Sequence, residues 1–329
     1  MRGASRLLVV RRDAGEIEHT SFERVAGYLH RGDLLVLNNT QVFPARLLGT
    51  RLPGGGAVEC LLLRPVADEG SVWEALMHPG QRLKQGSRVV FEGDGVRLHG
   101  EILAMHFHGR RSIRLWTDSD LEIAEVIDRI GHVPLPPYIK RPDRPADRER
   151  YQTVYARERG SIAAPTAGLH FTDATFAALA DRGVERTEVT LHIGYGTFKP
   201  VRASRVEDHV VDPESFSVSE IAAAAISGAR REGRRIIAVG TTTVRVLESL
   251  AAAEDGRVQR AAGDTSLFIR PGHRFQIVNG LITNFHLPQS SLLMLVAAFA
   301  GRERILEAYK KAVAHRYRFY SYGDAMLIL

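Results

Sequence analysis

The chain has 329 residues, 44% hydrophobic and 25% charged, which is an ordinary soluble composition and excludes both disordered and fibrous classes. Its single cysteine, Cys60, excludes an intramolecular disulfide and any Cys-rich zinc site. A formal net charge of +6 favours polyanionic partners, although the excess lies in Arg, which GC-rich coding also enriches. The length suits two domains or one large domain with an insertion.

The start of the sequence lacks the apolar core of a signal peptide, and no later run reaches a membrane-spanning length. A cytoplasmic location is therefore expected. The longest apolar run, from Leu287 to Ala300, reads as a buried helix.

Arg6 to Val10 predicts a first strand, and Asp13-Ala14-Gly15 a hairpin-like reversal. Phe22, Val25, Ala26 and Leu29 fall at helical spacing. Leu34 to Leu37 is a buried strand that runs into Asn38-Asn39-Thr40, and ligands in α/β folds gather at such strand ends. From Arg46 to Trp116 the pattern changes to six short β-rich runs separated by Gly and Pro: Leu47 to Gly49, Val58 to Leu63, Val72 to Met77, Val89 to Phe91, Val96 to Leu103 and Ser112 to Trp116. Their spacing predicts a small antiparallel β-barrel. The barrel suits either a nucleic-acid grip or a structural insertion, since paired exposed aromatics are not evident.

Helical periodicity returns over Leu121 to Ile130, and Pro134, Pro136 and Pro137 stiffen a domain boundary. The predicted architecture is thus an α/β domain of residues 1–45 and 130–329 with a β-barrel domain, 46–129, inserted. Lys140 to Gly160 is charge-dense and leads into Ile162 to Thr172. There Pro165 and Gly168, with its access to positive φ, frame a bent loop carrying Thr166, His170 and Thr172.

Ala174 to Arg182 reads as an amphipathic helix closed by Gly183. Val184 to Ile193 reads as a strand with His192 at its end, and Gly194 to Phe198 follows with Gly196 and Thr197. Glu220 to Glu232 reads as a helix with a basic end at Arg230, Arg231, Arg234 and Arg235. Ile236 to Val239 is a buried strand leading to Gly240-Thr241-Thr242-Thr243-Val244-Arg245, a helix N-terminus suited to an anion. Leu281 to Asn284 repeats the theme, with His286 beyond it and Pro288 read as a helix start. In Tyr317 to Asp324, aromatics alternate with Arg and Asp. Four polar strand ends in one α/β architecture can line a single cleft.

Several stretches resemble one family: G-H-V-P-L-P-P-Y-I, Y-Q-T-V-Y, A-A-P-T-A-G-L-H-F, V-T-L-H-I-G-Y-G-T-F-K-P-V, A-V-G-T-T-T-V-R-V-L-E-S, T-N-F-H-L-P and Y-S-Y-G-D-A-M. They are similar, in order and over nearly the whole chain, to the S-adenosylmethionine:tRNA ribosyltransferase-isomerases of queuosine biosynthesis. Members of that family carry a further segment, with an acidic–aromatic run, before the position of Arg6. The resemblance implies a large, distorted barrel-like α/β domain with a small inserted β-barrel. It also implies transfer and isomerisation of the ribosyl group of S-adenosylmethionine onto 7-aminomethyl-7-deazaguanine at the tRNA wobble position, forming epoxyqueuosine and releasing adenine and methionine. A monomer without metal, redox cofactor or membrane partner is expected.

That chemistry needs a base for the 5′ proton next to the sulfonium and a donor for departing adenine. His170 and His192 are the candidates, because their motifs match and a neutral imidazole serves either role. Gly240 to Thr243, with Arg245, are expected to hold the methionine carboxylate, and Asp324 or Glu248 to face the substrate amine. Asn284 and His286 are expected at base or ribose edges, with Asn38, Thr40, Thr166, Gly168, Gly196 and Thr197 lining the cleft. Arg141, Arg148, Arg157, Arg230, Arg231 and Arg316 are candidates for tRNA phosphates, with Tyr320 or Tyr322 for base stacking. Two rivals remain: a metal-dependent hydrolase using His170, His192, His209 and His286, which lacks the usual ligand spacings, and a non-enzymatic RNA-binding protein, for which polar strand ends are unnecessary.

Overall fold

The computed structural model describes residues 4–13, 15–66, 70–198, 201, 205–250 and 258–329. The chain divides into two compact units. The first comprises residues up to Gln41, Gln152–Glu158 and Ala164–Leu329; the second comprises Val42–Tyr151 and Arg159–Ala163. The second therefore takes in the Pro-rich connection and part of the charge-dense stretch as well as the barrel strands.

The first unit is built on β1 (Arg6–Val10), β2 (Ile17–Ser21) and β3 (Leu34–Asn38). The reversal between β1 and β2 is an antiparallel hairpin, although Ala14 lies outside the described residues. The segment Phe22–Tyr28 forms a 3-10 helix. β4 (Thr40–Val42) pairs with β11 (Glu158–Ser161) in a separate two-stranded sheet.

The second unit contains β5 (Arg46–Leu52), β6 (Ala57–Pro65), β7 (Val72–His78), β8 (Arg88–Gly93), β9 (Val96–Met105) and β10 (Arg110–Thr117). These are the six runs expected from the sequence. They close into an antiparallel barrel in the order β10-β7-β6-β5-β8-β9. Alternate residues fill its interior: Cys60 and Leu62, Ala75 and Met77, Val89 and Phe91, Leu98 and Ile102, Ile113 and Leu115. Closure leaves no open sheet edge. Helix α1 (Ile123–Ile130) covers β8, β9 and β10, and α2 (Pro145–Arg150) follows.

The remaining strands and helices belong to the first unit. They are α3 (Asp173–Asp181), β12 (Glu185–Leu191), β13 (Glu214–Val218), α4 (Glu220–Arg231), β14 (Ile236–Val239), α5 (Thr241–Leu250), β15 (Ala261–Thr265), β16 (Gly280–Asn284), α6 (Ser291–Ala300), α7 (Arg302–Ala314) and β17 (Ala325–Ile328). Nine strands form one sheet in the order β15-β13-β12-β3-β14-β16-β17-β1-β2. This order runs from β15 at one end to β2 at the other.

Strands β3 and β14 are buried along their whole length, as their unbroken Leu, Ile and Val runs demand of parallel strands covered on both faces. Leu35, Leu37, Ile237 and Val239 join a core with Phe22, Phe171 and Leu179 on one face, while α4 and α5 contact the same strands. Pro288 does not begin a helix: α6 starts at Ser291, where the Ser290 side chain caps Leu293 N–H at 3.2 Å. Leu287 is exposed and precedes α6, whose first turn is half-buried and whose Leu295, Val296, Phe299 and Ala300 are buried. Among the described residues no helix is long and apolar enough to cross a membrane.

Candidate active site

Strand register decides which chain ends meet. β12, β3, β14 and β16 run parallel, with Val189 opposite Asn38, Val36 opposite Ala238 and Val239 opposite Ile282. Their carboxyl ends therefore emerge on one edge, carrying His192, Asn38 to Thr40, Gly240 to Thr243, and Asn284 to His286. β17 runs against β16 with Ala325 opposite Asn284, and β1 runs beside β17 with Leu7 opposite Ala325. Asp324, Ser5 and Arg6 consequently reach the same edge from strand starts.

Thr166–His170 forms a buried 3-10 turn over the apolar face of this sheet, leading into α3, where Thr172 accepts from Thr175 N–H at 3.2 Å. Its glycine is required for a reason other than positive φ. A Cβ on Gly168 would lie 2.0 Å from Tyr155 Oη and 2.7 Å from Thr153 Cγ2, so it is the Y-Q-T-V-Y segment that approaches this backbone.

The turn delivers His170 to the edge. Its Nδ1 pairs with Ser5 Oγ at 2.8 Å, and its ring lies 5.1 Å from that of Phe22. Burial pushes its pKa down to about 4, against the opposing influence of Asn284 and Asp324, so the imidazole is neutral at pH 7. His170 Nε2 and Asn284 Oδ1 are both buried; among the described residues neither meets strict hydrogen-bonding geometry, and the Asn284 side chain is the polar group near enough to His170 to favour its charged form. The Asn284 amide is oriented by donation to Tyr320 O at 3.0 Å. Unpaired buried polar atoms are costly, and they concentrate where a structure serves something besides stability.

His192 is half-buried, and its Nδ1 meets Thr40 Oγ1 at 2.8 Å. Thr40 Oγ1 also lies 3.4 Å from Glu158 O, so its hydroxyl stands between the His192 ring and a backbone carbonyl. Burial lowers the pKa of His192, with the Glu158 charge opposing. His286 pairs through Nε2 with Thr283 Oγ1 at 2.9 Å, and burial lowers its pKa to about 4.

Several expected ligand contacts prove to be internal fastenings. Asn38 Oδ1 accepts from Thr40 N and Leu191 N, and its Nδ2 donates to Leu191 O and Thr242 Oγ1, which ties the ends of β3, β12 and α5 together and leaves the amide saturated. Arg245 is not available for a methionine carboxylate: it forms a buried pair with Glu214 and donates to the carbonyls of Leu267 and Thr265. The same Glu214 accepts from Gly194 N at 2.9 Å and Thr197 Oγ1 at 3.1 Å, while Gly196 sits against Asp212. Glu248 accepts the backbone N–H groups of Gln276, Ile277 and Val278, so it anchors that loop rather than a substrate amine. Asp324 is likewise committed, to Arg6 and Arg318. Burial pushes its carboxyl up, but the hydrogen bonds from Arg318 and Arg6 outweigh this and hold it below the usual carboxylate range.

What remains at α5 is its first turn. Gly240, at φ +89°, makes the strand-to-helix reversal, and Thr243 Oγ1 donates back to Val239 O at 2.7 Å. The leading N–H groups of Thr241 to Thr243 have no acceptor within the helix, as at any helix start.

A family model described as "Queuosine biosynthesis protein" matches residues 1–328. The chain belongs to that family. It is 51% identical over 328 residues to the S-adenosylmethionine:tRNA ribosyltransferase-isomerase of Desulfitobacterium hafniense and 53% identical to that of Carboxydothermus hydrogenoformans, covering 100% of this chain and 94% of each relative. A solved S-adenosylmethionine tRNA ribosyltransferase from Thermotoga maritima is 36% identical with a TM-score of 0.54, over 100% of this chain and 93% of that one.

Within this family member the candidate phosphate contacts separate. Arg141 forms a fork with Asp147, and Arg148 donates to the carbonyls of Asp128 and Gly131 at the end of α1, so both are tied within the second unit. Arg157 pairs with Glu188 at 2.7 Å but stays exposed, next to Asn39 at the site edge. Arg316 and Tyr322 are also exposed near that edge, beside the Arg6 and Asp324 contacts. Arg230 and Arg231 end α4 just before β14, and Arg235 pairs with Asp33 ahead of β3, so this basic patch lies at the opposite edge of the sheet. Sequence reasoning missed Ser5, Arg6, Glu214 and Arg318. Only Arg318 had a local signal, in the Arg–aromatic–Asp alternation from Tyr317 to Asp324.

Proposed function

We propose that this protein transfers and isomerises the ribosyl group of S-adenosylmethionine onto the aminomethyl group of 7-aminomethyl-7-deazaguanine in tRNA, giving epoxyqueuosine with release of adenine and methionine. The observation that carries this reading is the family match across residues 1–328. Relatives at 51% and 53% identity bear the corresponding name. The protein acts as a cytoplasmic monomer on tRNA and S-adenosylmethionine, and needs no metal or redox cofactor.

In this proposal His170 and His192 carry the proton transfers. Both are neutral at pH 7, with pKa values lowered by burial, and each keeps a ring nitrogen available once Ser5 or Thr40 holds the other. A neutral imidazole of this kind removes the 5′ proton beside the sulfonium; once charged, it supplies a proton to departing adenine. The first turn of α5 receives the methionine carboxylate, and Asn284 presents Oδ1 to a donor on the base or sugar.

The test is a reaction of purified protein with S-adenosylmethionine and tRNA bearing the aminomethyl base. Adenine and methionine should appear in equal amounts. Folded protein that binds both substrates and releases no adenine would overturn the assignment. His170→Ala and His192→Ala should each lower turnover by at least ~10²-fold, and near-normal rates in both would make them structural residues.

A further inference from the structure

One guanidinium at the site edge is held rigidly without being neutralised. Asp324 is fully buried, and two arginines converge on its carboxylate. Arg6 donates to it from N at 3.0 Å, Nε at 3.2 Å and Nη2 at 3.0 Å. Arg6 also donates to the carbonyls of His315 and Arg316, and its guanidinium lies 4.1 Å from the Tyr317 ring centre. Four of its five side-chain N–H groups are thereby used.

Arg318 is different. It donates from N at 2.8 Å, Nε at 3.3 Å and Nη2 at 2.7 Å, while its Nη1 has no partner among the described residues and its side chain is 59% exposed. Two guanidinium groups on one carboxylate leave one positive charge uncompensated. The turn that carries Arg318 and Asp324 is tightly closed: Asp324 N–H returns to Arg318 O at 2.8 Å, and a Cβ on Gly323 would lie 2.4 Å from that same oxygen. The turn also adjoins the candidate chemistry, since Asn284 donates to Tyr320 O within it and the Arg318 charge acts on His170. A fixed fork with unused donors matches an oxyanion, which Arg recognises by paired N–H groups.

We propose that Arg318, oriented by Asp324 and backed by Arg6, binds an oxyanion of the substrates, either a tRNA phosphodiester or the carboxylate of S-adenosylmethionine. This rests on the function proposed above and adds a binding residue to it.

Arg318→Met and Arg318→Lys separate the outcomes, with direct binding of tRNA and of S-adenosylmethionine measured beside adenine release. Arg318→Met should weaken binding of the anion-bearing substrate roughly tenfold, as expected for loss of a charge-assisted contact. If the anion is a phosphodiester, tRNA affinity falls and its salt slope becomes shallower by about one; if it is the carboxylate, only S-adenosylmethionine binding falls. Arg318→Lys retains the charge and a bond to Asp324 but not the fork, so it should be intermediate, and it decides the matter if the Met variant unfolds. Variants that bind both substrates within twofold of wild type would reduce Arg318 to a structural partner of Asp324. A wild-type protein that releases no adenine would count against the reaction, while the binding measurements still report on Arg318.

Discussion

Gly168→Ala tests whether packing between two neighbouring motifs sets the position of the candidate histidine. The added Cβ would meet Tyr155 Oη at 2.0 Å, Thr153 Cγ2 at 2.7 Å and Tyr155 Cζ at 3.0 Å, all at or below distances that real Cβ atoms occupy. Either Tyr155 moves or the Thr166–His170 turn moves, and the turn carries His170 two residues on. Overpacking of this kind costs about 1–3 kcal/mol, which for a unit of this size lowers Tm by roughly 2–10 °C. Removing the obstructing atoms should restore the room: Tyr155→Phe deletes Oη and Thr153→Ser deletes Cγ2. In that double background Gly168→Ala should cost less by about 1–2 kcal/mol, a coupling readable by thermal unfolding of the four corners of the cycle. Adenine release should recover in the same order. An equal Tm loss in both backgrounds, or none in the wild-type background, would refute the steric argument.

Acid should destabilise the protein through its buried imidazoles. His170 and His286 titrate near 4 in the folded protein against an ordinary 6.5, so between those values the unfolded chain binds more protons. Stability is then fully present above about pH 6.5 and falls toward pH 4, by up to ~3 kcal/mol per group. His286→Gln should remove about half of that loss in urea titrations across this range; an unchanged pH dependence would show that the group is not buried neutral. Arg245→Met leaves Glu214 buried without its cation and should cost about 3–5 kcal/mol, seen as a lowered urea midpoint. A shift below ~1 kcal/mol would mean that Glu214 is relieved elsewhere.

The barrel was legible because each strand carries its own signal: alternation in two-residue steps, with turn residues between. The parallel strands were legible because β3 and β14 are apolar throughout. The same local signals place Asn38, His192, Gly240 and Asn284 at strand ends, and parallel topology brings them to one edge. The local sequence does not state what each polar group touches there. Arg245 in a Gly-Thr-Thr-Thr-Val-Arg run reads as an anion ligand until Glu214, 31 positions away, is found against it. Pro288 misled for a simpler reason, since Ser290 supplies a better cap three residues ahead of Leu293.

The contacts that matter most at the edge join positions far apart: Ser5 with His170 across 165 residues, and Arg6 with Asp324 across 318. Register explains why these pairs form. β1 lies beside β17, so the residue before each strand start is delivered to the same place, and β16 on the other side of β17 adds Asn284. A strand-end cluster assembled this way has its partners determined by sheet order rather than by local pattern. That order also accounts for the division of labour within the cluster. Polar groups between neighbouring strand ends, such as Asn38, are consumed as fasteners because a ladder partner is always within reach. His170 arrives instead on a separate turn above the sheet, so Ser5 fastens its Nδ1 while its Nε2 has the Asn284 side chain near it, outside strict hydrogen-bonding geometry.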